Sequence, residues 1–225
     1  MVNKHMCGRY AWSNPQVERF RKYAPPPHKK IHQRYNRSPG QSHPILQSNN
    51  QSNSWAEAQW GSFPSANSVN SLRFPINARS ETVSQKPTFQ AAFESQRCLV
   101  PADGYYEWQV VERDRNPHFF HLPDRSTFAF AGLWREGPDG LCFTILTRSA
   151  PPNCLHIHHR MPVILSDEHY SVWISEQSTA GQLLDLLNNI KSDILFYPVS
   201  KRVNATREDG PELLEPNRDQ QSTLF

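Results

Sequence analysis

The chain has 225 residues, 37% of them hydrophobic, with six Trp, seven Tyr and twelve Phe; this is enough apolar material for the core of one domain. A formal charge of +3 and a pI near 8.7 permit nucleic-acid binding without demanding it. No stretch approaches the roughly 18 consecutive apolar residues of a membrane-spanning helix, no signal-peptide apolar region follows the start, and four cysteines without a Cys-x-x-Cys pair point to neither a zinc site nor a disulfide framework. The expectation is a cytoplasmic protein with reduced thiols, no metal and no cofactor.

Met1–His5 reads as a polar leader, a misassigned start or a segment removed by processing, so residues 1–6 are set apart from a domain over 7–216 and a tail over 217–225. Cys7 follows Met6 directly. With Met6 as the start and its Met removed, Cys7 would carry an α-amine with a pKa of about 8 and a thiol near 8.5, both partly nucleophilic at neutral pH. Such a 1,2-aminothiol condenses with aldehydes: the amine forms a Schiff base and the thiolate closes a thiazolidine ring.

Ser13-Asn14-Pro15 reads as a helix start, followed by Val17, Phe20 and Tyr23 or Ala24 at helical spacing. That helix should stop before Pro25-Pro26-Pro27. Gln33–Gly40 reads as a loop on a Pro-Gly turn, Gln47–Ser54 as a polar surface loop, and 60–74 as loop with short extended pieces. Strands are expected at 97–102 running on to Trp108, at 119–121, 127–134, 142–147, 162–165 and 194–199. Ser166 should cap a short helix with Asp167 and Glu168 in its first turn. Leu183, Leu184, Leu187 and Ile190 mark an amphipathic helix. Many strands with few intervening helices argue for α+β over alternating βαβ units; the expected fold is a single domain of mostly antiparallel curved sheets forming a barrel-like core with peripheral helices.

Four patches carry reactive groups. Glu107, between Tyr106 and Trp108, is a carboxylate among aromatics, whose desolvation should raise its pKa towards the range of a general acid. His156-Ile157-His158-His159 invites a metal, and His156 with His158 could chelate on a strand, but no carboxylate or Cys stands at a familiar ligand spacing. A proton-shuttling His beside a phosphate-holding Arg160 fits better. Asn77 and Arg79 alternate on an extended segment and so share a face; Asn can orient an amine or hydroxyl and Arg can clamp a phosphate.

Taken together, Cys7-Gly8-Arg9-Tyr10, Arg34-Tyr35-Asn36 with Ser38-Pro39, Trp60-Gly61, Asn77-Ala78-Arg79 with Glu81, Arg97 through Trp108, Thr144–Thr147, His158 with Arg160-Met161-Pro162 and Pro198-Val199-Ser200 resemble the SOS response-associated peptidase family, the abasic-site processing proteins. The resemblance spans about residues 6–216. It implies an enzyme of the DNA-damage response that binds single-stranded DNA and crosslinks Cys7 to the aldehyde of an abasic site. Asn77 would position the amine and sugar, Glu107 would assist proton transfer, and His158 would act on the sugar hydroxyl. Arg9, Arg79 and Arg160 would contact phosphates, Thr147 would join the DNA groove with Gly61, and Pro39, Trp60–Pro64 and Trp108 would offer stacking surfaces. The family normally begins Met-Cys; the five residues before Met6 depart from that pattern and would block the Cys7 amine unless self-cleavage by the thiol removes them. The last five residues resemble Gln-x-x-Leu-Phe peptides that dock on replication sliding clamps, with Gln221 in one subsite and Leu224 and Phe225 in an apolar pocket. A monomer at the nucleoid or replication fork is the expectation. A cysteine peptidase using Cys7 and His158, and a non-catalytic single-strand DNA-binding module, are the competing readings.

Overall fold

A computed structural model of the chain describes residues 8–48, 52–62, 74–137, 139–191 and 193–217. Cys7, the stretch 63–73 and the tail with Gln221, Leu224 and Phe225 therefore lie outside the described residues. In chain order come β1 (Arg9–Trp12), β2 (Arg34–Arg37), β3 (Ser42–Gln47), β4 (Ser54–Trp60), β5 (Asn77–Arg79) and α1 (Pro87–Ser95). Then follow β6 (Arg97–Ala102), β7 (Gly104–Val111), β8 (Asp114–His121), β9 (Phe128–Gly137), β10 (Gly140–Ser149), β11 (Arg160–Pro162) and β12 (Ile164–Leu165). The helices α2 (Asp167–Ile174) and α3 (Ala180–Asn189) precede β13 (Leu195–Pro198).

The strands build the expected α+β barrel. β4, β3, β6, β9 and β10 pair in that order, and β10 returns to β4, closing a five-stranded ring. Closure removes the unpaired edges of a sheet. All pairings are antiparallel except those of β10 with β4 and with β5. β11 lies on the far edge of β10 and β12 beside β9. A second sheet, ordered β13-β8-β7-β1-β2, packs on the barrel through Tyr10, Tyr105 and Phe120.

Why the barrel strands read as unbroken apolar runs is visible in their alternation. Cys98 and Val100 face a core shared with Trp60, Phe130 and Phe143, while Leu99 faces a second core under the helices with Phe93, Trp173 and Leu187. A strand buried on both faces has no polar side to display. Arg97 is nonetheless fully buried there. It donates to the Phe93, Glu94, Trp173 and Ser175 carbonyls and so caps the C-termini of both α1 and α2.

Several local expectations are corrected. The helix at Ser13–Ala24 is a single 3₁₀ turn over Val17–Phe20; Asp103 takes the Ser13 and Asn14 amides and the Ser13 hydroxyl, so a distant carboxylate and not a helix satisfies these donors. Gln33–Gly40 is half strand: β2 occupies Arg34–Arg37, with the Tyr35 and Asn36 amides donating to Asp209. The turn itself is at Ser38–Gln41, with Gly40 at φ 82°, where glycine is favoured. β1, β3, β4 and α1 had no counterpart among the expectations. Ser166 stands at the N-cap of α2, but its hydroxyl meets Glu168 and His169 and makes no side-chain cap; the capping box belongs to Thr179 and Gln182 of α3. His156 and His158 are in a turn after the 3₁₀ segment Pro152–Cys154, not on a strand.

Candidate functional site

Glu107 comes from the middle of β7, opposite His118 of β8. Its side chain is 3% exposed. β1 runs antiparallel beside β7 with Arg9 opposite Tyr106. Gly8, the residue bonded to Cys7, thus enters the fold alongside the strand that carries Glu107.

His158 approaches from the segment that leads into β11. Its amide donates to the Cys154 carbonyl, fixing the turn, and its Nδ1 lies 3.7 Å from Glu107 Oε1. Burial lowers the pKa of the ring, and the nearby His159 and Arg160 reinforce that against the Arg160 carbonyl, which favours the protonated form. The imidazole is therefore neutral near pH 7. Nδ1 sits 3.1 Å from both the amide and the carbonyl of Arg160. The neutral ring with its proton on Nε2 accepts from the amide; the imidazolium donates to the carbonyl or to Glu107. One atom thus has a partner in either state, which suits a group that takes up and returns a proton.

The remaining residues form a second row. In β5, Asn77 pairs in register with Ile145 and Arg79 with Thr147 of β10, and on the other edge of β10 Ser149 pairs with Arg160 of β11. Asn77 is half-buried and Arg79 exposed. Pro39 is half-buried at its turn.

Other residues read as DNA contacts are differently placed. Trp60 is wholly buried, stacked on Phe143, and its indole donates to the Ile76 carbonyl, so it has no free face for a base. Thr147 is equally buried, donating to the Ala78 carbonyl, and Gly61 is buried at φ 75°. Trp108 is 8% exposed, with its indole donating to Asn204 and the Arg115 guanidinium over its ring. Arg160 is 7% exposed and held by Glu81 and Thr147, so a phosphate would first have to displace Glu81. Arg9 donates to Asn36 and to the Val203 and Asn204 carbonyls. These six placements share one cause: the motifs carry residues that hold the fold together.

The sequence reading gave no role to Asn36 or Asn204. Asn36 is fully buried; it accepts from Arg9, and its amide nitrogen lies within reach of the Val203, Ala205 and Glu208 carbonyls. Asn204 holds Trp108 through its side chain and Arg9 through its carbonyl. The C-terminal segment is thus tied both to the strand leaving Cys7 and to the strand of Glu107. A buried-type Asn between motif arginines was the only available signal.

Among the described residues no group of three or more His, Cys, Asp or Glu is placed to hold a metal ion, and His156 packs against Phe196 instead. No helix among them is long and apolar enough to cross a membrane.

Abasic site processing protein YoqW of Bacillus subtilis is 33% identical over 222 residues, covering 93% of this chain and 99% of the relative. Abasic site processing protein HMCES of mouse is 32% identical over 228 residues, covering 81% of this chain and 64% of that protein. A Bacteroides thetaiotaomicron protein of known structure superimposes with a TM-score of 0.76 at 20% identity, covering 94% of this chain and all of the other. A phage-related protein from Bordetella bronchiseptica gives 0.71 at 26%, covering 87% and 95%. The model of the SOS response associated peptidase (SRAP) family matches residues 6–206, and the chain belongs to that family.

Proposed function

We propose that this protein processes abasic sites in DNA and does so by joining Cys7 covalently to the aldehyde of the opened sugar in single-stranded DNA. The observation that carries the reading is the pair of buried Glu107 and half-buried His158, 3.7 Å apart, on and beside β7, next to β1, which Gly8 joins to Cys7. The names of the relatives give the substrate class.

The chemistry requires a free Cys7 amine. Its nitrogen attacks the aldehyde carbon; the carbinolamine oxygen takes a proton and leaves as water, giving a Schiff base. The Cys7 sulfur then adds to the imine carbon while the imine nitrogen takes up the thiol proton. One water is released for one thiazolidine formed. Glu107 receives and returns the protons of the amine and the leaving oxygen. His158, neutral at pH 7, takes the proton from the C1 hydroxyl of the closed sugar; C1 becomes the aldehyde as its bond to the ring oxygen breaks, and the ring oxygen takes up a proton and leaves as a hydroxyl. Arg79, which is exposed, and Pro39, which is half-buried, meet the strand. Residues 1–6 must be absent from the active form, by initiation at Met6 with removal of that Met, or by attack of the Cys7 thiol on the preceding carbonyl, which frees the amine and leaves residues 1–6 as a thioester that water hydrolyses. Docking of Gln221, Leu224 and Phe225 on a sliding clamp, and a monomeric state, belong to the same proposal; deleting 221–225 should abolish clamp co-elution and leave crosslinking unchanged.

The test is a denaturing gel of the protein started at Met6, incubated with single-stranded DNA bearing one abasic site, beside Cys7→Ala. A shifted band that needs Cys7 is expected. No shift, with Cys7 confirmed as the N-terminal residue by mass spectrometry, would overturn the crosslinking reading.

A further inference from the structure

We infer that Glu81 is a positioning residue for His158, acting through Arg160: its carboxylate pins the Arg160 side chain against β10, which sets the Arg160 backbone groups that face the His158 ring. The inference rests on the reading of His158 as the proton carrier.

Glu81 stands just beyond β5. Its two oxygens take both terminal nitrogens of Arg160, at 2.5 and 2.8 Å. The fork is completed by the Thr147 carbonyl at 2.6 Å and by the Thr147 and Ser149 hydroxyls at 3.3 and 3.4 Å. Bidentate pairing of this kind fixes the plane of a guanidinium as well as its position. The two partners are unequally buried: Arg160 is 7% exposed, whereas the Glu81 side chain is 45% exposed. Burial alone would raise the pKa of Glu81, but the hydrogen bond from Arg160, the backbone amides of Glu81 and Ser149 and the Arg160 charge outweigh it and hold the carboxyl below its ordinary value. Glu81 is thus ionised at neutral pH and is the carboxylate paired with a nearly buried cation. Removing it would leave that cation uncompensated.

The connection to His158 is short. Arg160 opens β11, and its amide and carbonyl both lie 3.1 Å from His158 Nδ1. A guanidinium anchored on one side of β10 therefore fixes the backbone that decides which tautomer the ring adopts. The charged and titratable groups facing His158 are Glu107 from β7 at 3.7 Å, the His159 ring with centroids 4.5 Å apart, and Arg160 itself. Glu81 neutralises the last of these.

The experiment is an NMR titration of the His158 ring, assigned with His158→Asn, in the wild type, Glu81→Gln and Glu81→Asp. Crosslinking rate against pH and non-covalent affinity for undamaged single-stranded DNA are measured on the same proteins. In Glu81→Gln the uncompensated Arg160 charge should move the His158 midpoint to lower pH by roughly half a unit or more. The crosslinking limb should move with it, and the rate at neutral pH should fall by about tenfold with unchanged DNA affinity. Glu81→Asp, which keeps the charge, should recover most of both. An unmoved midpoint in a Glu81→Gln protein that melts like the wild type would overturn the inference. So would a gain in DNA affinity with an unmoved midpoint, which would make Glu81 a competitor of phosphate for Arg160. Should Glu81→Gln not fold, a midpoint in Glu81→Asp displaced to higher pH would overturn it. The NMR measurement needs no abasic DNA; a midpoint shifted in Glu81→Gln, together with a wild type that never crosslinks, would leave Glu81 as positioner and overturn only the proposed function.

Discussion

Acid should destabilise this fold through one histidine outside the Glu107–His158 pair. His43 of β3 is 2% exposed. Its Nδ1 is 3.1 Å from Arg37 Nη1, and its Nε2 is 3.1 Å from the Ser38 carbonyl. Arg37 has only donors to offer, so Nδ1 accepts and the ring proton sits on Nε2. Protonation would press a second N–H against the guanidinium inside the fold. Burial, and then the Arg37 charge, push the pKa of the ring down to about 3. The unfolded ring titrates near 6.5. Below that value the unfolded chain binds the extra proton and the folded chain does not. The His43 contribution is therefore complete above pH 6.5 and is lost as pH falls towards 3, at up to about 1.4 kcal/mol per unit. Over the 1.5 units from pH 6.5 to 5.0 the loss is about 2 kcal/mol, equivalent to roughly 4–8 °C in Tm for a chain of this size. His43→Gln removes the titration but can still accept from Arg37 and donate to Ser38. Urea unfolding of both proteins at half-unit steps from pH 7 to 5 is the assay. The variant should be less stable at pH 7 by roughly 1–2 kcal/mol, and that gap should shrink by about 2 kcal/mol at pH 5. His118, His121 and His158, also lowered chiefly by burial, are present in both proteins and cancel. A gap that stays constant across the range would refute the reasoning.

Arg97→Met keeps the length of the side chain but leaves four helix-end carbonyls without their donor; a loss of about 3–5 kcal/mol is expected in chemical unfolding, and a loss under about 1 kcal/mol would show that the capping adds little. Gly104→Ala would drive a methyl group into the Phe119 ring and the Phe120 carbonyl oxygen. A destabilisation of about 1–3 kcal/mol is expected by thermal melting, with slowed crosslinking because the same strand carries Glu107; an unchanged Tm would mean that β7 shifts freely.

Much of the barrel was legible because buried strands announce themselves. The runs at 97–102, 127–134 and 142–147 are largely apolar on both faces; β6 and β10 include the first and the last, and β9 takes up the second from Phe128. The missed strands had the opposite character. β2, Arg-Tyr-Asn-Arg, is polar throughout, and its pairing is set by Asp209 more than 170 residues away. β4 alternates only weakly, Ser-Trp-Ala-Glu-Ala-Gln-Trp, beside a polar stretch that masks it. In the site, Glu107 and His158 were visible as residue types suited to proton transfer, and the structure brings them together. The burial of Trp60, Thr147 and Arg160 was not visible, since an aromatic or basic residue in a motif reads the same whether it faces DNA or a carbonyl.

The sequence by itself determined the class of the fold, the reactive residue types and the family, because these reside in local composition and in the order of short motifs. Tertiary structure alone decided which of those residues are free. Arg79 lies on the surface, while Arg160, in an equally promising motif, is turned onto Glu81 from a strand far along the chain. The cost of leaving a buried cation unpaired enforces that choice, and it depends on distances that no local pattern encodes.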